Sequence, residues 1–183
     1  MIRSTVTQRC ILAALFVSLS AAAAAGQARL GAAAAAQLKA QADECSRAFV
    51  EGDFARVADY TFPGLVQKVG GREKMIAFLQ KGVAEMKTQG FEPLSYVNGD
   101  PTQVLIVSRA TYVVLPGKLR MRTPGGVMVS ETFMIGVSGD GGKNWMFVDG
   151  GSLDPAKLGI LFPAAAGKLR IPAQKPPVLE PAP

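Results

Sequence analysis

Few side chains of this chain could carry acid–base or nucleophilic chemistry. Its 183 residues contain no histidine, which removes the usual general base and the commonest metal ligand. Neither a catalytic zinc site nor a Ser-His-Asp triad is therefore expected, and no metal or cofactor is expected. Cys45 has no second cysteine in the mature domain, and its place on an apolar helix face indicates a small buried hydrophobe. The remaining catalytic candidates are Glu131, Asp149, Tyr60 and Tyr112.

Glu131 interrupts an otherwise apolar alternation in a predicted strand. On a concave face, a carboxyl group in an apolar cavity would have a raised pKa and could act as acid or base. On a solvated face it would pair with an arginine of a neighbouring strand, and the possible partners are Arg109, Arg120 and Arg122. Both interpretations stay open. Asp59 and Tyr60, at a predicted helix end, are expected to cap and pack rather than form a site.

The first 25 residues have the layout of a secretory signal peptide. Arg3 and Arg9 precede an apolar run from Cys10 to Ala25 that is too short for a comfortable membrane span. Small residues then offer cleavage after residue 25, or as late as residue 28. We therefore expect a periplasmic or secreted protein with no stable membrane span after cleavage. Whether the segment is cleaved or kept as an anchor stays open.

The formal net charge is +6, and removal of the two signal arginines would lower it by two. This modest basic balance favours ordinary solubility over attraction to anionic surfaces. Because basic and aromatic residues do not interleave, nucleic-acid binding is not expected. The row Lys118, Arg120 and Arg122 alternates with less polar residues and is typical of a solvated strand face.

The N-terminal half has the 3.6-residue period of helices. Helices are predicted over Leu30–Glu51, over a short segment after the N-cap Asp53, and over Arg72–Gln89. Leu65–Val69 is predicted as a short strand or an irregular connection.

The period then changes to two, which indicates strands. Predicted strands cover Phe91–Val97, Gln103–Leu115, Lys118–Thr123, Val127–Val137 and Asn144–Val148. Helices followed by an antiparallel meander predict an α+β fold, with N-terminal helices packed on a curved antiparallel sheet.

Residues 138–145 fit the pattern S-x-D-x-G-x-x-W, which resembles the Asp-box hairpin of sialidases. A propeller needs repeated blades, and the sequence has one copy. The motif therefore predicts a stable turn with Trp145 as a core anchor. After it, a short helix is expected over Asp154–Leu161, and residues 152–183 end in a Pro-rich segment that predicts a mobile tail.

The order of elements over Leu38–Gly150, with Gly52-Asp53 opening the second helix and Gly70-Gly71 before the third, resembles the NTF2-like superfamily. This cone fold is shared by nuclear transport factor 2, ketosteroid isomerase, scytalone dehydratase and the SnoaL-like cyclases. The resemblance implies a domain over residues 30–151, with a pocket at the open end of the cone. The isomerase tyrosine and aspartate would fall near Ser46 and Lys68, so the resemblance does not imply isomerase chemistry here.

The expected pocket is rich in hydrocarbon and poor in polar groups. Its predicted lining is Phe49, Tyr60, Phe62, Met75, Phe78, Met121 and Phe133. The sequence favours an exported module that binds an apolar or amphipathic small molecule without catalysis. Two alternatives stay open: a lyase or isomerase using Glu131 or Asp149 with a tyrosine, and a structural or partner-binding homodimer that pairs through the sheet.

Overall fold

The computed structural model describes residues 28–151 and 153–180. The predicted signal peptide lies outside the described residues. Four helices come first: α1 (Ala32–Glu51), α2 (Phe54–Tyr60), α3 (Pro63–Lys68) and α4 (Arg72–Thr88). Strands β1 (Glu92–Asn98), β2 (Gln103–Val107), β3 (Ala110–Thr123), β4 (Gly126–Ser138) and β5 (Met146–Asp149) follow. A fifth helix, α5 (Pro155–Leu161), and a last strand, β6 (Val178–Glu180), complete the described chain.

The strands form one antiparallel sheet around the long central pair β3 and β4. On one side of this pair, β3 is bonded first to β2 and then to β1. On the other side, β4 is bonded to β6 near its start and to β5 near its end. The sheet curls into a half-barrel with the N-terminal helices packed on it, so the α+β fold class is confirmed and the shape is compatible with a cone.

The two faces of the sheet bury two separate apolar clusters. The inner face packs against α1 and contributes Val113, Leu115, Met134 and Phe147. The outer face packs against α5 and the chain that follows it, and contributes Tyr112, Val114, Ile135 and Val148. Adjacent residues of β3 alternate between these faces, as the period of a strand requires. Both faces of the sheet are therefore covered at the end where β5 lies.

The turn between β4 and β5 is held by a compact network of hydrogen bonds. The Asp140 carboxylate accepts from the backbone N–H of Asn144 at 3.0 Å and of Lys143 at 3.1 Å, and from the Ser138 hydroxyl at 2.8 Å. Hydrogen bonds to the charged form favour it, and those from Asn144 contribute most, so the pKa of Asp140 falls to about 2. Trp145 is fully buried, and its indole N–H donates to the Gly142 carbonyl.

Two local predictions were wrong. The predicted strand Gln103–Leu115 is a hairpin, because the chain reverses at Ser108-Arg109 between β2 and β3. Ser108 has a φ of 57°, a left-handed conformation that glycine usually supplies. The segment predicted as a strand or irregular connection at Leu65–Val69 is instead helical in α3, where Pro63 occupies the first turn and supplies a φ suited to it.

The Pro-rich C-terminal segment, for which the sequence predicts a mobile tail, makes specific contacts in the structure. Ala165 and Leu169 are buried in the outer cluster. Farther along, Gln174 donates to the Gly151 carbonyl at 2.6 Å, and Lys175 lies 2.7 Å from the Glu131 carboxylate. The segment ends by adding β6 to the edge of β4.

Candidate functional site

A cavity of about 530 Å³ lies between the inner face of the sheet and the helices. The second half of α1 forms one wall, α2, α3 and α4 form another, and the inner face of the sheet closes it. Most of its lining side chains are apolar, and they are Phe49, Val57, Leu65, Val69, Met75, Phe78, Leu79, Leu119, Met134, Phe147 and Val148. The polar or sulfur-bearing ones are Cys45, Ser46, Thr61, Tyr96 and Asp149. This size and lining are typical of small-molecule pockets.

Tyr96 extends from β1 across the inner face, over the backbone of Gly117 in β3. A methyl group on Gly117 would lie 2.6 Å from the Tyr96 ring and 2.9 Å from its hydroxyl oxygen, so only glycine admits this position of the ring. The Tyr96 hydroxyl is buried and has no hydrogen-bond partner among the described residues, although Thr132 lies close to it. Burial, and the nearby charge of Asp149, raise the pKa of Tyr96. The side chain therefore stays a neutral donor and acceptor.

Asp149 ends β5 opposite Met134, so its side chain belongs to the inner face. Its carboxylate accepts one hydrogen bond from the described residues, from the backbone N–H of Gly151 at 3.0 Å. Asp149 is an exposed residue, and it lines both the cavity and a groove on the outer face. Desolvation by the surrounding protein outweighs the bond from Gly151 and raises the pKa of Asp149.

The polar side chains of α1 at the cavity, Ser46 and Cys45, are hydrogen-bonded or inert, whereas the buried Oδ1 of the neighbouring Asn98 has no hydrogen-bond partner among the described residues. The buried Asn98 amide donates to the Ser46 hydroxyl at 2.9 Å and to the Asp43 carboxylate at 3.1 Å. This ties the end of β1 to the middle of α1. Burial raises the pKa of the Cys45 thiol to about 12, so this cysteine is protonated and weakly nucleophilic.

Glu131 lies on the outer face, in an open groove of about 1120 Å³ between the sheet and the C-terminal segment. Its partner is Lys175, at 2.7 Å, rather than one of the three arginines proposed from the sequence. Lys175 and, to a smaller extent, Lys118 lower the pKa of Glu131. Arg120, also in this groove, pairs with Glu180 at 3.0 Å. The charges of the groove thus largely neutralise one another, and Glu131 does not face the cavity.

The two tyrosines and Asp59 named from the sequence lie away from the cavity lining. Tyr60 packs beside Phe147 with ring centroids 6.4 Å apart, and Arg56 lies over its ring. Tyr112 belongs to the outer cluster, edge-on to Phe162 at 5.8 Å. Asp59 pairs with Arg72 at 2.8 Å.

The predicted apolar lining divides in two. Phe49, Met75 and Phe78 line the cavity. Phe62 packs on Phe162 beside the outer cluster, Phe133 is buried in that cluster, and Met121 is buried outside the cavity lining. Sequence reasoning missed Tyr96 altogether. Tyr96 lies at the cavity because β1 pairs with β3. The register that places Gly117 next to the Tyr96 ring has no local signal in the sequence.

Within residues 28–151 and 153–180, the structure offers neither a metal-binding cluster nor a membrane-spanning helix. No cluster of three or more histidine, cysteine, aspartate or glutamate side chains has an arrangement that could hold a metal ion. No helix in these ranges is both long enough and apolar enough to cross a bilayer.

Comparison of the chain with protein-family models, with curated proteins and with solved structures finds no match.

We expect Gly117→Ala to destabilise the protein by about 1–3 kcal/mol, because the added methyl group must displace the Tyr96 ring. Urea unfolding followed by circular dichroism measures the change. The control is Gly139→Ala, since a methyl group there meets no atom within 4 Å, and its effect should stay within about 0.5 kcal/mol. Equal stability of the two variants would show that the ring does not lie over Gly117.

Proposed function

We propose that this protein binds an apolar or amphipathic small molecule in its inner cavity and releases it unchanged. The observation that carries the proposal is the cavity of about 530 Å³ with its largely apolar walls. Desolvating apolar surface in such a cavity supplies roughly 25 cal/mol per Å² buried. The few polar groups at its sheet side would orient the ligand.

Helix α4 is suited to admit a ligand. Of its 17 residues, only Met75 and Val83 are buried, so little apolar contact holds the helix in place. Phe78 lines the cavity and is nevertheless 67 % exposed, which puts it at the mouth. A small outward movement of α4 would open the cavity without disturbing the packing of α1 on the sheet.

The sequence adds two parts to this proposal. The order of helices and strands, and the cavity between them, support an NTF2-like module. The signal-like segment at residues 1–25 supports a periplasmic or secreted location. Pairing of two copies through the sheet stays a prediction; the outer face that would serve it carries α5 and the C-terminal segment at its β5 end.

Filling the cavity should abolish binding. We expect 1-octanol, an amphipathic probe, to raise the melting temperature of the wild-type protein, because a ligand of the folded state at 100 times its Kd adds roughly 2.7 kcal/mol. Leu79→Trp places a larger side chain in the lining and should remove this shift. Ile160→Trp, a similar enlargement at a residue 63 % exposed on α5, should retain it.

Differential scanning fluorimetry over a series of octanol concentrations measures both shifts. Absence of any shift in the wild-type protein, or an equal shift in the two variants, would contradict binding in this cavity.

A second candidate function is acid–base catalysis by a lyase or isomerase. The specific observation in its favour is that Asp149 and Tyr96 line the same apolar cavity. A carboxylate with a raised pKa is a better base, and a neutral phenol can donate to an oxygen that gains negative charge. The tyrosine of this pair is Tyr96, and neither Tyr60 nor Tyr112 lines the cavity.

Proton exchange at carbon tests this second function. In deuterated water, the protein should accelerate exchange of the protons beside the carbonyl of 2-octanone, followed by proton NMR. General base catalysis is typically worth about 10²–10⁴-fold, so Asp149→Asn should return the exchange to its rate in buffer. Tyr96→Phe should slow it, whereas Tyr60→Phe should not. If the wild-type protein exchanges these protons no faster than buffer does, catalysis is contradicted and only the binding function remains.

A further inference from the structure

The inner cavity contains a single charged side chain. Among its lining residues, Asp149 is the one carboxylate, and no lysine or arginine is present. Within the described ranges, Asp149 forms no ion pair, whereas its only hydrogen bond comes from the backbone N–H of Gly151.

Every charged or titratable group near Asp149 can be named. On the cavity side these are Tyr96 on β1 and Cys45 on α1, and both are neutral. On the groove side, which Asp149 also lines, they are Glu131, Lys118, Arg120 and Lys175, and Arg120 pairs with Glu180 at 3.0 Å. Lys175 is engaged with Glu131 at 2.7 Å. Asp149 therefore carries a negative charge at the cavity wall with no ion pair among the described residues, although Lys118 lines the same groove.

Asp149 is exposed, so water solvates part of its charge, but the carboxylate has no ion-pair partner among the described residues and would attract a cation placed beside it at the apolar wall. In proteins such a cation is ordinarily a lysine or an arginine. Here the open position beside Asp149 is the cavity, where a ligand would lie. The cavity thus provides an apolar environment for a hydrocarbon chain, and one anionic end.

Tyr96 complements this anionic end. Its hydroxyl is buried without a hydrogen-bond partner in the described part of the chain, and a hydroxyl oxygen can accept a hydrogen bond from an N–H donor. A primary ammonium has three such donors. It could pair with Asp149 and still donate to Tyr96, whereas a carboxylate ligand could accept from the Tyr96 hydroxyl but would be repelled by ionised Asp149.

We propose that the cavity selects apolar amines, with the ammonium group paired to Asp149 and hydrogen-bonded to Tyr96, and the hydrocarbon chain between α4 and the sheet. This inference rests on the proposed binding function and specifies its ligand class. It assigns to Asp149 a recognition role that does not require catalysis.

The proposal fixes the direction of a pH dependence. Pairing needs Asp149 ionised and the amine protonated. Burial raises the pKa of Asp149, so affinity for the amine should fall as the pH is lowered through that raised value. A neutral alcohol makes no ion pair, and its affinity should change little over the same range.

Three probes with the same chain test the selection: octylamine, 1-octanol and octanoate, each titrated into the full chain by isothermal calorimetry at neutral pH. We expect octylamine to bind about tenfold or more tightly than 1-octanol, which is a modest gain for a charge-assisted contact. Octanoate should bind most weakly. Asp149→Asn should remove the advantage of the amine, and Glu131→Gln, the matched change in the groove, should retain it.

The outcomes separate the two proposals. If none of the three probes binds the wild-type protein, the proposed binding function fails and this inference fails with it. If 1-octanol binds and octylamine binds no more tightly, the cavity is a binding site without selection for amines. The pH series on the wild-type protein decides the matter even if Asp149→Asn does not fold, because amine affinity that is unchanged on acidification contradicts pairing with Asp149.

Discussion

The architecture depends on how closely the first half of α1 packs on the inner face of the sheet. Leu38 and Ala42 are almost fully buried there, and Gln41 accepts from the backbone N–H of Trp145 and donates to the Lys143 carbonyl. Gly136 permits this approach, because a methyl group there would lie 2.7 Å from Val113 and 3.4 Å from Leu38. The helix is thereby fixed at one end of the curled sheet. Its second half, from Cys45 to Phe49, lines a cavity.

The same packing explains why the cavity has unequal walls. The sheet wall is held by the long pairing of β3 with β4 and by the buried cluster beneath α1. The opposite wall consists of short helices and of α4, which buries little of its surface. Ligand entry is therefore expected to move the helical wall, while the groups that orient a ligand, Tyr96 and Asp149, stay fixed on strands. A rigid polar side and a yielding apolar side suit reversible binding.

Sequence patterns predicted the elements whose periodicity is strong and missed those decided by tertiary contacts. The long helices and the strand at residues 127–137 follow from apolar spacing. The hairpin between β2 and β3 was missed because Ser108-Arg109 lacks the usual glycine, asparagine or proline of a turn. Pro116 and Gly117 lie between two predicted strands, Gln103–Leu115 and Lys118–Thr123, yet β3 continues through them.

The position of Pro116 shows why. Its carbonyl accepts from the N–H of Gly99, on the side where β3 changes its partner from β2 to β1. The N–H that proline lacks would point to this same side, where regular pairing is interrupted, so its absence costs little.

In the candidate site too, some residues could be predicted from the sequence, and others are determined by tertiary contacts. Asp149 could be named from the sequence, because it is a carboxylate at the end of an apolar strand. The surroundings of Asp149 could not be predicted from the sequence. The tyrosine that faces it is determined by the register of β1 with β3, and by the absence of a side chain at Gly117. Glu131 was the more suggestive carboxylate in the sequence, but the parity of β4 places it on the outer face, opposite Lys118. Residues two positions apart along a strand lie on the same face of the sheet, and adjacent residues lie on opposite faces. Strand composition alone therefore does not show which side chains reach a functional site.

The central claim is that Asp149 is a carboxylate at the wall of an apolar cavity, with no ion pair among the described residues. The most direct test is to titrate its side-chain carboxyl carbon by NMR in the protein without ligand. The account predicts a pKa above the ordinary aspartate value of about 3.9, because desolvation outweighs its single backbone hydrogen bond. A pKa at or below that value would mean that water or a cation already balances the charge, and would contradict the account.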